Sequence, residues 1–306
     1  MVSALTTSGR HESRHRPVML RETLRALELK PGLVVVDGTV GGGGHSREIL
    51  PKIAPNGRLI GLDRDPMMLE FAAGRLAAWP EHELHQASYA DLRGILDESS
   101  SDGVDRVLLD LGLSSDQLAD ESRGFSFQAE GPLDLRFDTS MGVPASELLA
   151  SRSVDELQYL LETFGEEPRA ALIAKELKRD SARLATMTGR ELGERVAAIV
   201  GRSGQRGGSH PATRLFQALR IAVNGELDEL RRMLGEVLPA CLRPGGGAVI
   251  ITFHSLEDRM VKEAFRDREI WTDVAKPVKP TPSEERINPR ARSAKIRVAC
   301  RRVVES

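Results

Sequence analysis

The chain has 306 residues, of which 40% are hydrophobic and 29% are charged, and its formal net charge is −2. This composition is ordinary for a soluble globular protein, and the near-neutral charge taken alone argues against a protein that coats nucleic acid. No apolar run approaches the ~18 residues of a membrane span, and the N-terminus lacks the apolar segment of a signal peptide, so a cytoplasmic location is expected. Cys241 and Cys300 lie in apolar segments without metal-ligand spacing, which predicts reduced thiols and no metal site.

The chain begins with a polar stretch that has no hydrophobic periodicity, and residues 1–14 are therefore predicted to be a disordered tail. Residues 17–29 then repeat apolar side chains at helical spacing, and Pro31 and Gly32 follow them, which predicts the first helix. The ordered part of the chain is expected to begin near residue 15.

The stretch LVVVDGTVGGGGHSREIL, residues 33–50, predicts a buried strand, a glycine-rich turn and the start of a helix. Glycines in such a turn permit positive φ and leave no Cβ between the backbone and a ligand. A phosphate-binding P-loop is excluded, because His45 and Ser46 follow Gly44 where Lys and Ser or Thr are required. The dinucleotide fingerprint would need a glycine in place of Ser46 or Arg47, so a pyrophosphate is not supported either.

Asp37 stands at the end of this first strand, where its charge would repel phosphate groups. A nucleoside cofactor that has no pyrophosphate and carries a cationic amino acid group fits these features better. S-adenosylmethionine combines such a group with an adenosine. The alternative is a turn that binds no ligand, but an idle turn rarely needs five glycines among seven residues.

A second strand, residues 57–63, ends in Asp63, 19 residues beyond Gly44. In a βαβ unit the second strand lies beside the first, so an acid at its end faces the same ligand and can accept from both ribose hydroxyls. The alternative role, capping of the next helix, fits Asp65 better, because Asp65 directly precedes Pro66 at the first helical position. Ribose binding is therefore the prediction for Asp63.

Two further strands bring more candidates to the same edge. Tyr89 follows a weakly strand-like segment, and it can either stack on an adenine or be an ordinary residue at the edge of the core. Asp110 ends an apolar strand at residues 104–110, at the carboxyl end, where open α/β sheets bind ligands. Gln117 follows in a polar loop.

The alternation of strands and helices stops near residue 120. A turn-rich loop at residues 124–138 contains three of the eight Phe residues, and only helical patterns follow as far as residue 200. Two capping boxes, beginning at Ser153 and Thr188, open two of these helices. Residues 121–209 are therefore predicted to be a helical insert that ends in a Gly-rich basic linker at residues 201–211.

The α/β pattern resumes after the insert. Helical residues 213–242 precede a turn at 243–246, a strand at 246–255, a helix capped by Ser255, and a last strand at 294–304. Strands punctuated by Gly and Pro and separated by helices predict a doubly wound sheet, built from residues 15–120 and 210–306.

Two segments are locally basic. Residues 276–302 carry nine Lys and Arg against two Glu, a balance of +7, and residues 10–25 carry five Arg against two Glu, a balance of +3. Such patches on a near-neutral body can hold a phosphate backbone. A solvated basic tail is the alternative that composition leaves open.

Blocks in one fixed order identify a family. DGTVGGGGHS, GLDRDP, LDLGLSSDQ, GFSF with GPLDLRFD, HPATRLFQALRIAVNGEL, FHSLEDR and NPRARSAKIRV together resemble the bacterial 16S rRNA cytosine-N4 methyltransferases, the RsmH (MraW) family. The resemblance runs from about Arg16 to Arg302. It implies S-adenosylmethionine as the methyl donor, a seven-stranded Rossmann-like class I methyltransferase sheet with an inserted all-helical domain, and a decoding-centre cytidine of the small-subunit rRNA as the target.

The resemblance also implies site residues. Gly43, Gly44 and His45 would contact the methionine end of the cofactor, although His45 can also be a solvated residue of the first helical turn. The remaining implied cofactor contacts are Asp63 at the ribose, Tyr89 beside the adenine, Asp110 and Gln117.

The predicted partners are free rRNA or the assembled small ribosomal subunit. The oligomeric state is open, with a dimer among the alternatives.

The catalytic hypothesis concerns Asp110. Many amino-group methyltransferases place an Asp/Asn-Pro-Pro-aromatic motif after the fourth strand, whereas this chain has Asp110-Leu-Gly-Leu. Asp110 is predicted to accept from the cytosine amine, directly or through a backbone partner. The competing prediction is that Asp110 holds the cofactor. His254, after the fifth strand, is predicted to line the cytidine pocket or to give structural support. Phe125, in the aromatic loop, is predicted to cover a flipped base.

Overall fold

The structure is a computed structural model, and it describes residues 16–201 and 210–303. The predicted disordered tail and most of the predicted linker after residue 201 lie outside the described residues. Within the described ranges, no helix is long and apolar enough to cross a membrane.

The strands in the described part of the chain form one seven-stranded sheet. Its strands are β1 (Val34–Asp37), β2 (Arg58–Asp63), β3 (His82–Gln86), β4 (Val104–Asp110), β5 (Leu242–Thr252), β6 (Trp271–Thr272) and β7 (Lys295–Arg301). They are arranged in the order β3-β2-β1-β4-β5-β7-β6. The first five run parallel, and β7 pairs antiparallel with both β5 and β6. This arrangement confirms the predicted class I methyltransferase sheet.

Six of the strands match predicted ones. β6 was not predicted, because two residues are too few to show an alternating pattern. The predicted turn at residues 243–246 lies within the bounds of β5, where the pairing with β4 skips from Leu242 to Gly247. The turn is therefore an irregularity inside a longer strand, and Gly245 supplies its positive φ of 78°.

Helices cover the sheet and build the insert. Predicted caps are present at three of them: Ser153 and Thr188 form capping boxes, and the Asp65 carboxylate accepts from Met67 N at 3.1 Å. The helices are α1 (Leu20–Leu27), α2 (Gly44–Ile53), α3 (Pro66–Leu76), α4 (Leu92–Glu98), α5 (Ser115–Ala119), α6 (Ala145–Ser151), α7 (Val154–Gly165), α8 (Ala170–Lys178), α9 (Ser181–Leu184), α10 (Gly189–Val200), α11 (Thr213–Asn224), α12 (Glu226–Arg232), α13 (Leu238–Cys241), α14 (Ser255–Ala264) and α15 (Pro282–Ile287).

Apolar clusters cover both faces of the sheet. Successive residues of a strand point to opposite faces, so Val35 and Leu108 pack with α1 and α2 on one side, while Val36 and Leu109 pack with the helices on the other. Burial on both faces explains why these strands read as continuous apolar runs. The carboxyl ends of the parallel strands are left as the edge where polar side chains meet.

A third apolar cluster lies in the helical region. It begins at Phe125 and includes buried residues of α6 to α11, so α11 packs with the predicted insert although it follows the predicted boundary at residue 209. Gly225, with φ of 63°, then joins α11 to α12. The chain therefore passes from the helical cluster to the sheet at this glycine.

Candidate active site

A cleft of about 1050 Å³ lies at the carboxyl ends of β1 to β5. This is the edge where open α/β sheets bind ligands. Leu111, Leu113 and Phe253 give part of its wall an apolar character. Six of the seven predicted cofactor contacts line the cleft: Gly44, His45, Asp63, Tyr89, Asp110 and Gln117.

The glycine-rich turn passes close to its neighbours. A Cβ on Gly38 would lie 2.5 Å from Leu109 Cδ2 and 2.9 Å from Tyr89 Cβ, so a side chain there would displace the turn or its neighbours. Gly41 has φ of +50° and donates its N–H to Asp63 Oδ2 at 2.9 Å. Glycine is thus required at position 38 for the close fit of the turn, and at position 41 it permits the positive φ of the residue that donates to the second strand.

Gly43 is the predicted contact that is not among the cleft-lining residues. It has φ of +76°, and a Cβ there would lie 3.3 Å from Ala72 Cα in α3. The structure therefore gives Gly43 a packing role, in the close approach of the turn to α3. Its contact with the cofactor stays a prediction.

Asp37 is 1% exposed and is not one of the residues that line the cleft. Its carboxylate accepts from Ser46 Oγ at 2.7 Å and from Thr39 N at 3.4 Å, which ties the end of β1 to α2. Burial raises its pKa to about 6, against the effect of these hydrogen bonds. Asp37 acts on the cleft through its charge, which helps to raise the pKa of Asp110.

Asp63 is held by the backbone on both sides. Its two oxygens accept from Gly41 N and Asp65 N, each at 2.9 Å, and burial raises its pKa to about 7. Each carboxylate oxygen has two lone pairs, so both oxygens can accept further bonds from neighbouring hydroxyls. The geometry therefore suits the predicted ribose contact.

Asp110 has the most strongly perturbed carboxyl group at the cleft. Burial, followed by the charge of Asp37, raises its pKa to about 8, although Arg290 opposes the shift. Its Oδ1 is buried and has no hydrogen-bond partner within the described ranges, while Oδ2 lies 3.6 Å from His45 Nδ1. His45 Nε2 in turn lies 3.1 Å from Val18 O, which fixes the ring. Asp110 thus presents an unpaired acceptor.

Tyr89 and Gln117 both line the cleft. The Tyr89 hydroxyl reaches Glu226 O at 3.5 Å, and burial raises the pKa of this phenol. Gln117 accepts from Ser114 N and donates to Asp65 Oδ2, both at 2.8 Å. The Gln117 amide is therefore fixed by its neighbours, and its contact with the cofactor stays a prediction.

His254 does not line the cleft. It is the N-cap of α14, where its Nδ1 accepts from Glu257 N at 3.4 Å, and its Nε2 lies 3.0 Å from Glu257 Oε1. The predicted cap at Ser255 is wrong, because Ser255 is already the first helical residue and donates to Glu166 instead. The structure gives His254 a supporting role, and its place in a cytidine pocket stays a prediction.

Several residues without a predicted role line the cleft. One of them is Phe137, which belongs to the aromatic loop at residues 124–138. Phe125 of the same loop is 5% exposed and stacks on Phe137, with ring centroids 5.8 Å apart, and it does not line the cleft. An irregular loop has no period that would show which ring points inward. The other unpredicted members include Phe253, Glu257 and Glu226.

A buried ion pair joins the turn after β2 to the start of the predicted insert. Arg123 Nη2 lies 3.1 Å from Asp65 Oδ2, and the two side chains are 10% and 0% exposed. The same Arg123 nitrogen donates to Arg136 O at 2.6 Å and to Phe137 O at 2.7 Å. Arg123 therefore links the turn after β2 to the loop that carries Phe137.

Comparison with known proteins places this chain in a family. The family model for the MraW methylase family matches residues 12–302. The chain belongs to the MraW methylase family. Proteins named ribosomal RNA small subunit methyltransferase H are 45% identical in Syntrophotalea carbinolica, over 92% of this chain and 96% of the relative, and 42% identical in Thermomicrobium roseum, over 93% of each. A putative rRNA-methylase structure from Clostridium thermocellum matches 94% of this chain and 98% of that chain, with TM-score 0.47 and 11% identity.

S-adenosylmethionine is the methyl donor of this methylase, and the cleft suits it. The buried Asp110 Oδ1 has no partner among the described residues, and a cationic group brought to it would satisfy an acceptor that is otherwise costly to bury. Asp63 and Tyr89 line the same cleft, and their contacts with the ribose and the adenine stay predictions. The acceptor oxygens of the cleft are compatible with a cationic nucleoside.

Proposed function

We propose that this methylase transfers a methyl group from S-adenosylmethionine to the exocyclic N4 amine of a decoding-centre cytidine in 16S rRNA. The observation that carries the proposal is the buried Asp110 Oδ1, which has no hydrogen-bond partner among the described residues, at the cleft of a chain that is 45% identical to a ribosomal RNA small subunit methyltransferase H. We also propose a cytoplasmic location, because the substrate belongs to the ribosome.

The positions of the side chains in the cleft support the proposed cofactor roles. Asp63 would accept from the ribose hydroxyls, and Tyr89 would stack on the adenine with its ring. Gly44 and His45 would lie at the methionine end, beside Asp110. When bound, the donor supplies an electrophilic methyl group on a positively charged sulfur, and a nearby cation lowers the pKa of Asp110 toward the ionised form.

The chemistry requires a positioned amine. The lone pair of the cytosine N4 is delocalised into the ring, so the protein has to hold the nitrogen in line with the methyl group and provide an acceptor for its proton. Asp110 has the two roles predicted above, as an acceptor for the amine or as a partner of the cofactor. An Asp110→Asn variant that kept both cofactor affinity and turnover would contradict both roles.

RNA docking is proposed for a surface formed by both basic segments. The segments meet in the structure, since Met19 N donates to Glu284 Oε1 at 3.2 Å and Asn288 Nδ2 donates to Arg16 O at 3.5 Å. Val18, next to this junction, lines the cleft. Phosphate contacts beside the cleft would position the RNA, while the cleft specifies the base. Among the described residues of the two segments, the exposed basic side chains are those of Arg16, Arg21, Arg25, Lys276, Lys279, Arg286, Arg292 and Arg302.

Other basic residues of the C-terminal segment have internal partners. Lys295 and Arg297 pair with Asp258 at 2.8 and 2.7 Å, and Arg290 donates to Ser115 Oγ at 2.8 Å. Charge reversal at Lys295 or Arg290 would therefore disturb the fold as well as any RNA contact. We also propose the helical insert, residues 121–209, as a second element that recognises the RNA substrate.

The decisive experiment for the substrate uses labelled donor and small ribosomal subunits from a strain that lacks this gene. The expected result is one methyl group on the N4 amine of one 16S cytidine, located by mapping the modified nucleotide. Free 16S rRNA, tested in parallel, shows whether the assembled subunit is required. Transfer only to protein or a small molecule, or cofactor binding without transfer, would overturn the proposal.

The docking surface is tested with the double variant Arg286→Ala and Arg292→Ala. Each lost phosphate contact is expected to weaken subunit binding and to reduce the slope of log affinity against log salt by about 1. Arg231→Ala, which removes an exposed charge from α12, is the control. If the slope of log affinity against log salt were the same for the double variant and the wild type, this surface would not be the one that binds the RNA.

A further inference from the structure

Glu257 is a buried acid of the cleft that the proposal above does not use. It is 3% exposed, lies in the first turn of α14, and lines the same cleft as Asp110. Its charge contributes to the raised pKa of Asp110, so the two carboxyl groups are within electrostatic range of each other. A second carboxylate is therefore available close to the site of methyl transfer.

The Glu257 carboxylate is held in place by its neighbours. Its Oε2 accepts from Phe253 N at 2.8 Å and from His254 N at 3.2 Å. His254 Nδ1 accepts from Glu257 N, which leaves the proton on Nε2, and Nε2 lies 3.0 Å from Glu257 Oε1. Burial opposes ionisation, but His254 and Arg220 outweigh it and hold the pKa of Glu257 below its usual value. Oε1 retains a lone pair for a ligand.

Phe253 supplies an aromatic surface beside this carboxylate. It follows β5 and lines the cleft. A Cβ on Gly112 would lie 3.4 to 4.0 Å from three atoms of the Phe253 ring, and Gly112 has φ of +99°, which other residues rarely adopt. The glycine therefore leaves space against the ring. Many amino-group methyltransferases have an aromatic residue in the motif after the fourth strand, whereas this chain has none there. Phe253, which follows the neighbouring strand β5, can provide that aromatic ring.

We propose that Phe253 and Glu257 form the subsite for the target base, which stacks on Phe253 and donates a hydrogen bond from its N4 amine to the Glu257 carboxylate. This inference rests on the proposed function and names how the same site recognises its base. Asp110 then serves the cofactor. A carboxylate accepts from the N4 amine of cytosine, whereas the O4 of uracil is an acceptor that Glu257 repels. The subsite therefore selects cytosine against uracil.

The transfer step balances with Glu257 as the base. The N4 lone pair forms the new bond to the methyl carbon, the bond between that carbon and sulfur breaks, and its electron pair stays on sulfur as a neutral thioether. N4 loses one proton, which the Glu257 carboxylate accepts. Since Glu257 is ionised and anchored by backbone N–H groups, it needs no rearrangement to take this proton.

The first test is Glu257→Gln, which keeps a carbonyl oxygen for the Phe253 N–H and so keeps the helix cap. With small subunits as substrate, kcat is expected to fall by about 100-fold, the usual range for loss of a general base, while the Kd for S-adenosylmethionine stays within about twofold. Glu263→Gln, on an exposed position of α14, is the matched control. A kcat for Glu257→Gln equal to that of the control would overturn the proposal.

A second test separates recognition from structural support. The amide of Glu257→Gln can donate to O4, so in competition the preference for subunits with cytidine over uridine at the target position is expected to fall by about tenfold. Phe253→Leu keeps an apolar side chain without a ring, and its KM for subunits should rise by about tenfold through lost stacking. An unchanged base preference together with an unchanged KM would overturn the subsite. Absence of transfer by the wild-type protein would instead count against the proposed function.

Discussion

Gly41 and Gly43 lie in the same turn, and replacing each by Ala separates ligand binding from packing. Both have positive φ, +50° and +76°, and an Ala in this region costs about 1–2 kcal/mol. A Cβ on Gly43 would also lie 3.3 Å from Ala72 Cα, a backbone atom that cannot rotate away. Overpacking of this kind adds about 1–3 kcal/mol. Beside Gly41, the nearest atom would be Thr39 O at 3.9 Å, so no such cost arises.

The two variants should therefore rank in one order for loss of stability and in the reverse order for loss of ligand affinity. Gly43→Ala is expected to lower the free energy of unfolding by about 2–5 kcal/mol and Gly41→Ala by about 1–2 kcal/mol, measured by urea denaturation without cofactor. Gly41 lines the cleft, so its added methyl group occupies ligand space. Its Kd for S-adenosylmethionine should rise by about tenfold, or about 1.4 kcal/mol, in calorimetric titration of the folded protein.

For Gly43→Ala, the Kd should change less than for Gly41→Ala. If the two variants lost equal stability and Gly43→Ala had the larger rise in Kd, Gly43 would act on the ligand. The packing argument would then be wrong. The role implied by the family resemblance would be the correct one.

Three further predictions concern the cleft and its link to the insert. Burial raises the pKa of Asp110 to about 8, so its contribution to the free energy of unfolding should fall as the pH rises from about 3.8 to about 8, while cofactor affinity should rise as the carboxyl group ionises. Asp110→Asn should make both trends smaller in unfolding and titration series; part of the fall in stability should remain, because the pKa values of Asp37 and Asp63 are raised as well. Equal pH profiles for the variant and the wild type would contradict this reasoning. Arg123→Met leaves Asp65 buried without its cation and should cost about 3–5 kcal/mol in urea unfolding, a smaller loss arguing against the ion pair. Phe137→Ala should raise KM for subunits more than Phe125→Ala, which should mainly lower Tm; the reverse order would show that Phe125 meets the base.

The strands and the acids at their ends were predictable because their signals are local. Each of Asp37, Asp63 and Asp110 directly follows an apolar run, and parallel strands bring their carboxyl ends to one edge. The sequence could not distinguish their environments, however. Asp37 proved to be a buried anchor for α2, whereas Asp110 keeps an unpaired oxygen at the cleft.

The residues that were missed depend on how distant segments pack. Glu257 reads as an ordinary capping residue of α14, and only the position of that helix after β5 brings it to the cleft. The cap itself was assigned to Ser255 because Ser is the commoner N-cap residue, although His254 accepts the bond. Likewise, α11 has a helical pattern in either domain, and its packing with the insert helices is a tertiary property.

The junction at Gly225 has a mechanical consequence. α11 packs with the helical cluster, and Glu226, the first residue of α12, lines the cleft immediately after this single glycine. Asn224 accepts from Phe137 N at 2.8 Å, so the loop that carries Phe137 is fastened at the same point. A rotation of the helical cluster about Gly225 would therefore displace Glu226 and Phe137, and with them two parts of the cleft wall, at the same time.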